Sequence, residues 1–145
     1  MKIIDDFHGE NFFLDNFYPV SVQWRGTVYP SSEHAFQAAK CKHPADRLKF
    51  TALSAGYAKA FGNRIPLRQD WENIKLGIMT EIVHLKFNQN PELIEKLLDT
   101  GGALLVEGNT WNDTFWGVCK GTGQNHLGKI LMYLRDYYKE AKYRV

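Results

Sequence analysis

The chain has 145 residues, a length that suits one domain able to bury a core without disulfide or metal support. Lys and Arg total 18 against 16 Asp and Glu, a net charge of +2, which excludes a charged tail protein and does not announce a nucleic-acid surface. Hydrophobic residues at 44% and charged residues at 23% describe a globule rather than a disordered chain.

In chain order, Ser21 to Trp24 and Thr27 to Tyr29 flank Arg25-Gly26 and read as a hairpin. Pro30-Ser31-Ser32 ends the strand and caps a helix beginning near Ser32 that runs to Lys40. Pro44 opens a short helix to about Phe50, and Ser54 caps another for which Gly62 is the C-terminal stop. Asp70 caps a long helix, Trp71 to about Phe87, with Ile74, Ile78, Ile82 and Leu85 as its buried stripe. Asn90-Pro91 starts a helix with Leu93, Ile94, Leu97 and Leu98 inward, closed by Gly101-Gly102. Ala103 to Glu107 has strand character, 108–125 is a long loop, and Asn125 caps a final helix with Leu127, Ile130, Leu131 and Leu134 inward. The expected class is α+β: a single compact, mostly helical domain over 1–145 with a small antiparallel sheet.

Several chemistries have no motif here. There is no apolar run of 18 residues to cross a membrane, and the start, Met1-Lys2-Ile3-Ile4-Asp5-Asp6, is not a signal peptide. Cys41 and Cys119 suit a reducing cytoplasm. His8, His34, His43, His84 and His126 form no zinc motif, and no phosphate-loop or nucleophile-elbow pattern occurs. No metal and no cofactor is expected.

Twenty residues are aromatic (nine Phe, four Trp and seven Tyr), crowded towards the two chain ends. They read either as β-rich core or as planes for a flat ligand. Trp24 and Phe50 are expected to be plain core. Glu33, Gln37 and Lys40 fall at i, i+4 and i+7, so they share one helix face. That face is either a solvated stripe or a pocket wall bearing a carboxylate, an amide and an amine, while Ala35, Ala38 and Ala39 allow close packing elsewhere. The loop from Glu107 to Gly117 carries Asn112 and Asp113 among Trp111, Phe115 and Trp116, which tips it towards binding, although Trp116 beside Gly117 also suits a core position. The glycines of Gly121 to His126 either present N–H groups to a phosphate or simply lead into a helix. Asn16, among aromatics, reads a base edge or makes a turn. Lys129, Arg135, Lys139, Lys142 and Arg144 give the final segment a weakly basic cast, which also suits an ordinary solvated helix.

Five blocks then resemble one family in its own order. They are Phe13-Leu-Asp-Asn-Phe-Tyr-Pro19, Tyr29-Pro-Ser-Ser-Glu-His-Ala-Phe-Gln-Ala-Ala-Lys40, Arg68-Gln-Asp-Trp71, Lys86-Phe-Asn-Gln-Asn-Pro91, and Trp116-Gly117 followed by Asn125-His-Leu-Gly-Lys129. Together they resemble the NADAR superfamily, the YbiA-like N-glycosidases, from about Phe12 to Arg135. Asp15, where the family more often has a small residue, and Gly108 to Asp113 depart from its pattern.

The resemblance implies a hydrolase of N-glycosidic bonds, with either of two substrate classes: ADP-ribose on guanine in DNA or RNA, or phosphoribosylated intermediates of riboflavin synthesis. For the first it implies a Schiff base between Lys40 and ring-opened ribose, with Glu33 stabilising positive charge on the sugar. Carried over residue by residue, the substrate-binding set is Asn16, Phe17, Tyr18, His34, Gln37, Arg68, Trp71, Glu107, Asn112, Asp113, Trp116, Gly117 and Asn125. The aromatics of the two chain ends then become two walls of one pocket, with the Glu33 helix as floor and the loop before Asn125 holding a phosphate. The expected partner is an ADP-ribosylated guanine nucleotide or nucleic acid, in the cytoplasm, without a membrane. A non-catalytic ADP-ribose or nucleotide-binding module is the reading from another class. It leaves unexplained why both Glu33 and Lys40 are present.

Overall fold

The structure, a computed structural model, describes residues 1–143, so Arg144 of the basic final segment lies outside them. The elements run β1 (Ile3–Ile4), a 3₁₀ helix Gly9–Leu14, β2 (Val22–Trp24), β3 (Thr27–Tyr29), α1 (Ser32–Ala39), a 3₁₀ helix Pro44–Ala52, α2 (Ala55–Gly62) and α3 (Trp71–Asn88). They continue with α4 (Pro91–Asp99), β4 (Leu104–Leu105), β5 (Gly108–Asn109), β6 (Val118–Cys119) and α5 (His126–Tyr143). This is the expected helix-dominated α+β class. Residues 16–89 form one compact unit, and residues 1–15 with 90–145 form the other.

In the 16–89 unit, β2 and β3 pair antiparallel, Val22 opposite Tyr29, as the hairpin reading predicts. Their inward residues Val22, Trp24 and Tyr29 are buried. Helix α1 packs against α2, α3 and the 3₁₀ helix Pro44–Ala52. Ala35, Ala38 and Ala39 are fully buried, so small side chains do let the neighbouring helices close in. The long helix hides a broader face than the expected stripe. Trp71, Ile78, Met79, Ile82, Val83 and Phe87 are buried, whereas Ile74 and Leu85 are only half-buried. Trp24 and Phe50 are core, as expected. The Trp24 ring also lies between the guanidinium groups of Arg25 and Arg47, at 4.9 and 4.7 Å.

Three helix ends differ from expectation. Asp70 stands at the N-cap of α3 but makes no cap bond, because Arg68 holds its carboxylate at 2.7 and 3.2 Å. Gly62 is the last residue of α2 rather than the residue beyond it, and Asn63 is the C-cap. The stretch opened by Pro44 is a 3₁₀ helix, running on to Ala52. Ser31, by contrast, caps α1 as predicted, accepting from the His34 N–H at 3.2 Å.

In the other unit, β1 pairs parallel with β4, and β5 pairs parallel with β6. Neither pair is expected from the sequence. Helix α4 packs on α5, with Leu93 and Leu97 buried from one and Leu127, Ile130, Leu131 and Leu134 from the other. Arg135 is buried and donates to Thr100 Oγ1 at 2.9 Å, and Lys142 faces Glu95 at 3.7 Å. The basic cast of the final helix is therefore partly absorbed within the fold. No helix among the described residues is long and apolar enough to cross a membrane.

Of the eight aromatics in residues 1–36, Phe7, Phe13, Trp24, Tyr29 and Phe36 are buried. Most of the N-terminal aromatic excess is thus core. Phe12, Phe17 and Tyr18 are the half-buried exceptions, and the last two have cations over their rings, Lys59 at 5.9 Å and Lys86 at 5.8 Å.

Candidate active site

Every residue of α1 is buried, although half of its side chains are polar: Ser32, Glu33, His34 and Gln37. A helix enclosed on all sides normally carries an apolar surface, and each enclosed polar group needs a partner. The partners supply the site's geometry. At the helix start, the Asn16 carbonyl accepts from the Glu33 N–H at 3.0 Å, and Asn16 Oδ1 accepts from Ser32 Oγ at 2.9 Å. Asn16 therefore anchors the N-terminus of α1 through both its backbone and its side chain. His34 Nε2 lies 2.7 Å from the Leu53 carbonyl and Nδ1 lies 2.6 Å from Ser31 Oγ. A carbonyl only accepts, so Nε2 carries the proton and Nδ1 accepts from Ser31. His34 is thereby held in the framework.

The Glu33–Gln37–Lys40 face is enclosed, not a solvated stripe. Glu33 is 8% exposed and Gln37 is 3% exposed. Gln37 Nε2 donates to Glu33 Oε2 at 2.6 Å, a short charge-assisted bond that fixes the carboxylate. The other amide atom, Gln37 Oε1, is buried and has no hydrogen-bond partner. An unmet buried acceptor costs about 1–3 kcal/mol, so its retention marks a group aimed at something else. Gly62 of α2 lies directly against that oxygen, and a Cβ there would overlap it.

Lys40 closes the line at the C-cap of α1, half-buried. Its ammonium lies 3.4 Å from Asn63 Oδ1 and 5.7 Å from the Phe36 ring centre. Burial pushes its pKa below the ordinary lysine value; Glu33 opposes that shift, and the neighbouring cations Lys59 and Lys75 add to it. A lysine so placed gives up its proton more readily than an exposed one. Trp71, buried, packs on Phe36 at 5.2 Å. Arg68 donates its N–H to the Lys40 carbonyl at 3.0 Å, but its guanidinium is turned to Asp70. The structure thus gathers Asn16, Glu33, Gln37, Lys40 and Trp71 on or around α1, and puts the His34 and Arg68 side chains to framework use. Ser32, Gly62 and Asn63 belong to the cluster and escape sequence reading as site residues, since a serine, a helix-end glycine and a following asparagine carry no chemical motif.

Gly62→Ala tests the amide directly. Ala is the better helix former by about 1 kcal/mol, so α2 should persist. The methyl group displaces Gln37 from Glu33, and turnover should fall about a hundredfold. Full turnover in a folded Gly62→Ala protein would show that the amide's position is irrelevant.

Phe17 and Tyr18 are half-buried in the 16–89 unit, under Lys59 and Lys86, whereas Glu107, Asn112, Asp113, Trp116, Gly117 and Asn125 belong to the unit of residues 1–15 and 90 onward. Glu107 is buried, donates its N–H to Asn125 Oδ1 at 2.9 Å, and accepts from Asn109 Nδ2 at 3.1 Å. Asn125 completes the tie by donating to the Leu105 carbonyl at 2.9 Å. Its side chain is therefore not a helix cap, and its φ is +55°. Asp113 Oδ1 accepts the N–H groups of Trp116 and Phe115 at 2.9 and 3.2 Å, so it shapes the loop. Asn109, missed by sequence reading, links Glu107 to Asp113 by donating to the Asp113 carbonyl at 2.8 Å. Gly117 lies where a Cβ would overlap the Glu107 carboxylate. Asn112 is exposed in the left-handed region at φ +63°, and Cys119 Sγ lies 3.7 Å from its Oδ1. Trp116 is half-buried, edge-on to Phe115 at 4.7 Å, and Phe115 leans on His126 at 4.5 Å.

Part of the Gly121 to His126 backbone is already engaged within the fold. The N–H groups of Thr122, Gln124, Asn125 and His126 already donate to the carbonyls of Cys119, Thr114, Gly117 and Phe115. They are not available to an anion. Asn125→Ala should cost about 3 kcal/mol, because it strands the Glu107 N–H and the Leu105 carbonyl. Urea unfolding measures this, and an unchanged midpoint would show that both bonds are dispensable.

A carboxylate clamped by an amide, two turns along the same helix face from a half-buried amine, has the chemical groups suited to attack at an electrophilic carbon with positive charge developing beside it. That describes the class: a small α+β protein with a carboxylate, an amide and an amine lined along one face of a buried helix. The particular family follows from comparison. The model described as the NADAR domain matches residues 5–139, and the chain belongs to that family. It is 42% identical, over 94% of its length and 37% of the relative's, to a Vibrio vulnificus protein named as a riboflavin biosynthesis protein. It is 38% identical to the N-glycosidase YbiA of Escherichia coli, over 85% of this chain and 79% of that one. The NMR structure of Escherichia coli YbiA matches with a TM-score of 0.88 at 33% identity, covering 99% of this chain and 89% of that chain.

Proposed function

We propose that the protein is an N-glycosidase that removes ADP-ribose from guanine in DNA or RNA through a Schiff base on Lys40. The observation that carries this reading is the enclosed Glu33–Gln37–Lys40 line, with a 2.6 Å amide clamp on the carboxylate and an amine whose pKa is lowered by burial. The relatives named as N-glycosidases support the reaction type.

The step balances without a cofactor. Ring opening breaks the C1–O4′ bond, O4′ taking a proton and C1 becoming doubly bonded to the base nitrogen. The neutral Lys40 amine adds to C1, its protons pass to that nitrogen, and the C1–N bond breaks as the free base leaves and C1 becomes doubly bonded to the lysine nitrogen. Water then adds to the lysine imine, releasing ADP-ribose as the aldehyde and regenerating the amine. Glu33 stabilises the positive charge on the sugar, and Gln37 keeps the carboxylate directed. Lys40 and Glu33 are about 10 Å apart along the helix axis, so the sugar sits between their side chains.

The second reading keeps the same chemistry on phosphoribosylated intermediates of riboflavin synthesis. The name of the Vibrio relative favours it. A binding module without chemistry has no use for a desolvated lysine beside a clamped carboxylate. Incubation with an ADP-ribosylated, guanine-containing oligonucleotide and with a riboflavin-pathway phosphoriboside separates the readings. The first predicts free ADP-ribose and restored oligonucleotide. Ribose 5-phosphate from the phosphoriboside alone supports the second, and no product with tight ADP-ribose binding supports the module.

A further inference from the structure

A cleft of about 460 Å³ opens in the 16–89 unit beside Cys41, the residue after Lys40. Its size lies in the range of pockets that hold small organic ligands, about 300–1,000 Å³. One wall is apolar, made by Phe61, Ile65 and Pro66. Phe61 rests on Phe50 at 5.1 Å yet stays 36% exposed, so part of the ring remains open. The rim is polar and carries Lys42, His43 and Lys49. It includes one carboxylate, Asp46, which pairs with Lys49 at 3.2 Å, so the excess charge is positive.

The cleft and the α1 cluster share one segment. Gly62 lies against Gln37 and Asn63 meets Lys40, while Phe61, Ile65 and Pro66 line the cleft. A ligand reaching beyond Lys40 thus has an aromatic face and two ammonium groups next along the chain.

We propose that this cleft is a nucleotide subsite, in which Lys42 and Lys49 hold the phosphates and the base lies against Phe61. This rests on the glycosidase reading for its place in the reaction, and it deepens that reading. An apolar wall beside a cationic rim suits a substrate whose ribose continues through phosphate into a second nucleoside. A phosphoriboside with a lone terminal phosphate leaves the Phe61 wall empty.

Calorimetry with AMP, adenosine and inorganic phosphate tests it. Wild-type protein should bind AMP more tightly than either fragment. Lys42→Ala/Lys49→Ala, a change at exposed positions that spares the core, should weaken AMP about tenfold or more and flatten its salt dependence. Phe61→Ala should weaken adenosine as well. AMP affinity equal in wild type and the double lysine variant would overturn the subsite. So would absence of AMP binding in a preparation that still releases ADP-ribose, which leaves the Lys40 chemistry standing. AMP bound through Lys42 and Lys49 in a protein without glycosidase activity supports the subsite and removes the glycosidase reading instead.

Discussion

Lys40→Ala is expected to abolish turnover, with a loss of at least about a thousandfold, because no other group in the α1 cluster replaces the departing nucleophile. Lys40→Arg should fare no better, since a guanidinium keeps its proton and cannot form the imine. The wild-type rate should also depend on pH in one direction. The attacking species is the neutral amine, so turnover rises as pH rises through the Lys40 pKa. Burial places that pKa below the ordinary lysine value, and the plateau should arrive correspondingly early. A Lys40→Ala protein that keeps wild-type activity would remove the covalent step.

Glu33→Gln should lower kcat by about a hundred- to ten-thousandfold with little change in KM. The isostere retains an oxygen to accept from Gln37, so the 2.6 Å clamp has a partner in the variant and the loss reports the charge alone. A second readout separates this from a structural effect. Glu33 supports the protonated form of Lys40, against the burial that lowers its pKa. Removing the Glu33 charge should therefore shift the midpoint of the residual pH profile to lower pH. Unchanged kcat in Glu33→Gln would transfer the carboxylate's role to another residue.

The legible parts of the fold share a local signal. The hairpin shows because Arg25-Gly26 separates two β-rich runs whose residues face each other, Gln23 opposite Val28. Helix α1 shows because Pro30-Ser31-Ser32 gives a stop and a cap within three residues. The parallel pairs do not show, because Ile3 meets Leu104 across a hundred positions of chain and two-residue strands leave no alternation to read. Caps at Asp70 and Asn125 misread for a related reason. The side chains have the right chemistry, but Arg68 takes one, and Glu107 with Leu105 takes the other.

The site was half legible. Glu33, Gln37 and Lys40 share a face by spacing alone, yet spacing cannot tell a solvated stripe from an enclosed one. The alanines at 35, 38 and 39 are the sequence's hint of enclosure, since they let α2 and α3 approach the helix closely. Gly62 explains the rest: its missing side chain leaves room for the Gln37 amide, and nothing in its own neighbourhood of sequence says so. The aromatic bias that suggested ligand stacking is mainly core in the N-terminal stretch, with Trp24, Tyr29 and Phe36 buried in one unit and Phe7 and Phe13 in the other.

The central claim is that Lys40 forms the covalent bond to the sugar. Borohydride added during turnover on an ADP-ribosylated oligonucleotide reduces a lysine imine to a stable amine. Intact-mass measurement then reads the ADP-ribosyl adduct, and peptide mapping reads its position. One adduct is expected, on Lys40, absent from Lys40→Ala. Turnover with no trapped adduct, or with an adduct on Lys59 or Lys86, would contradict it.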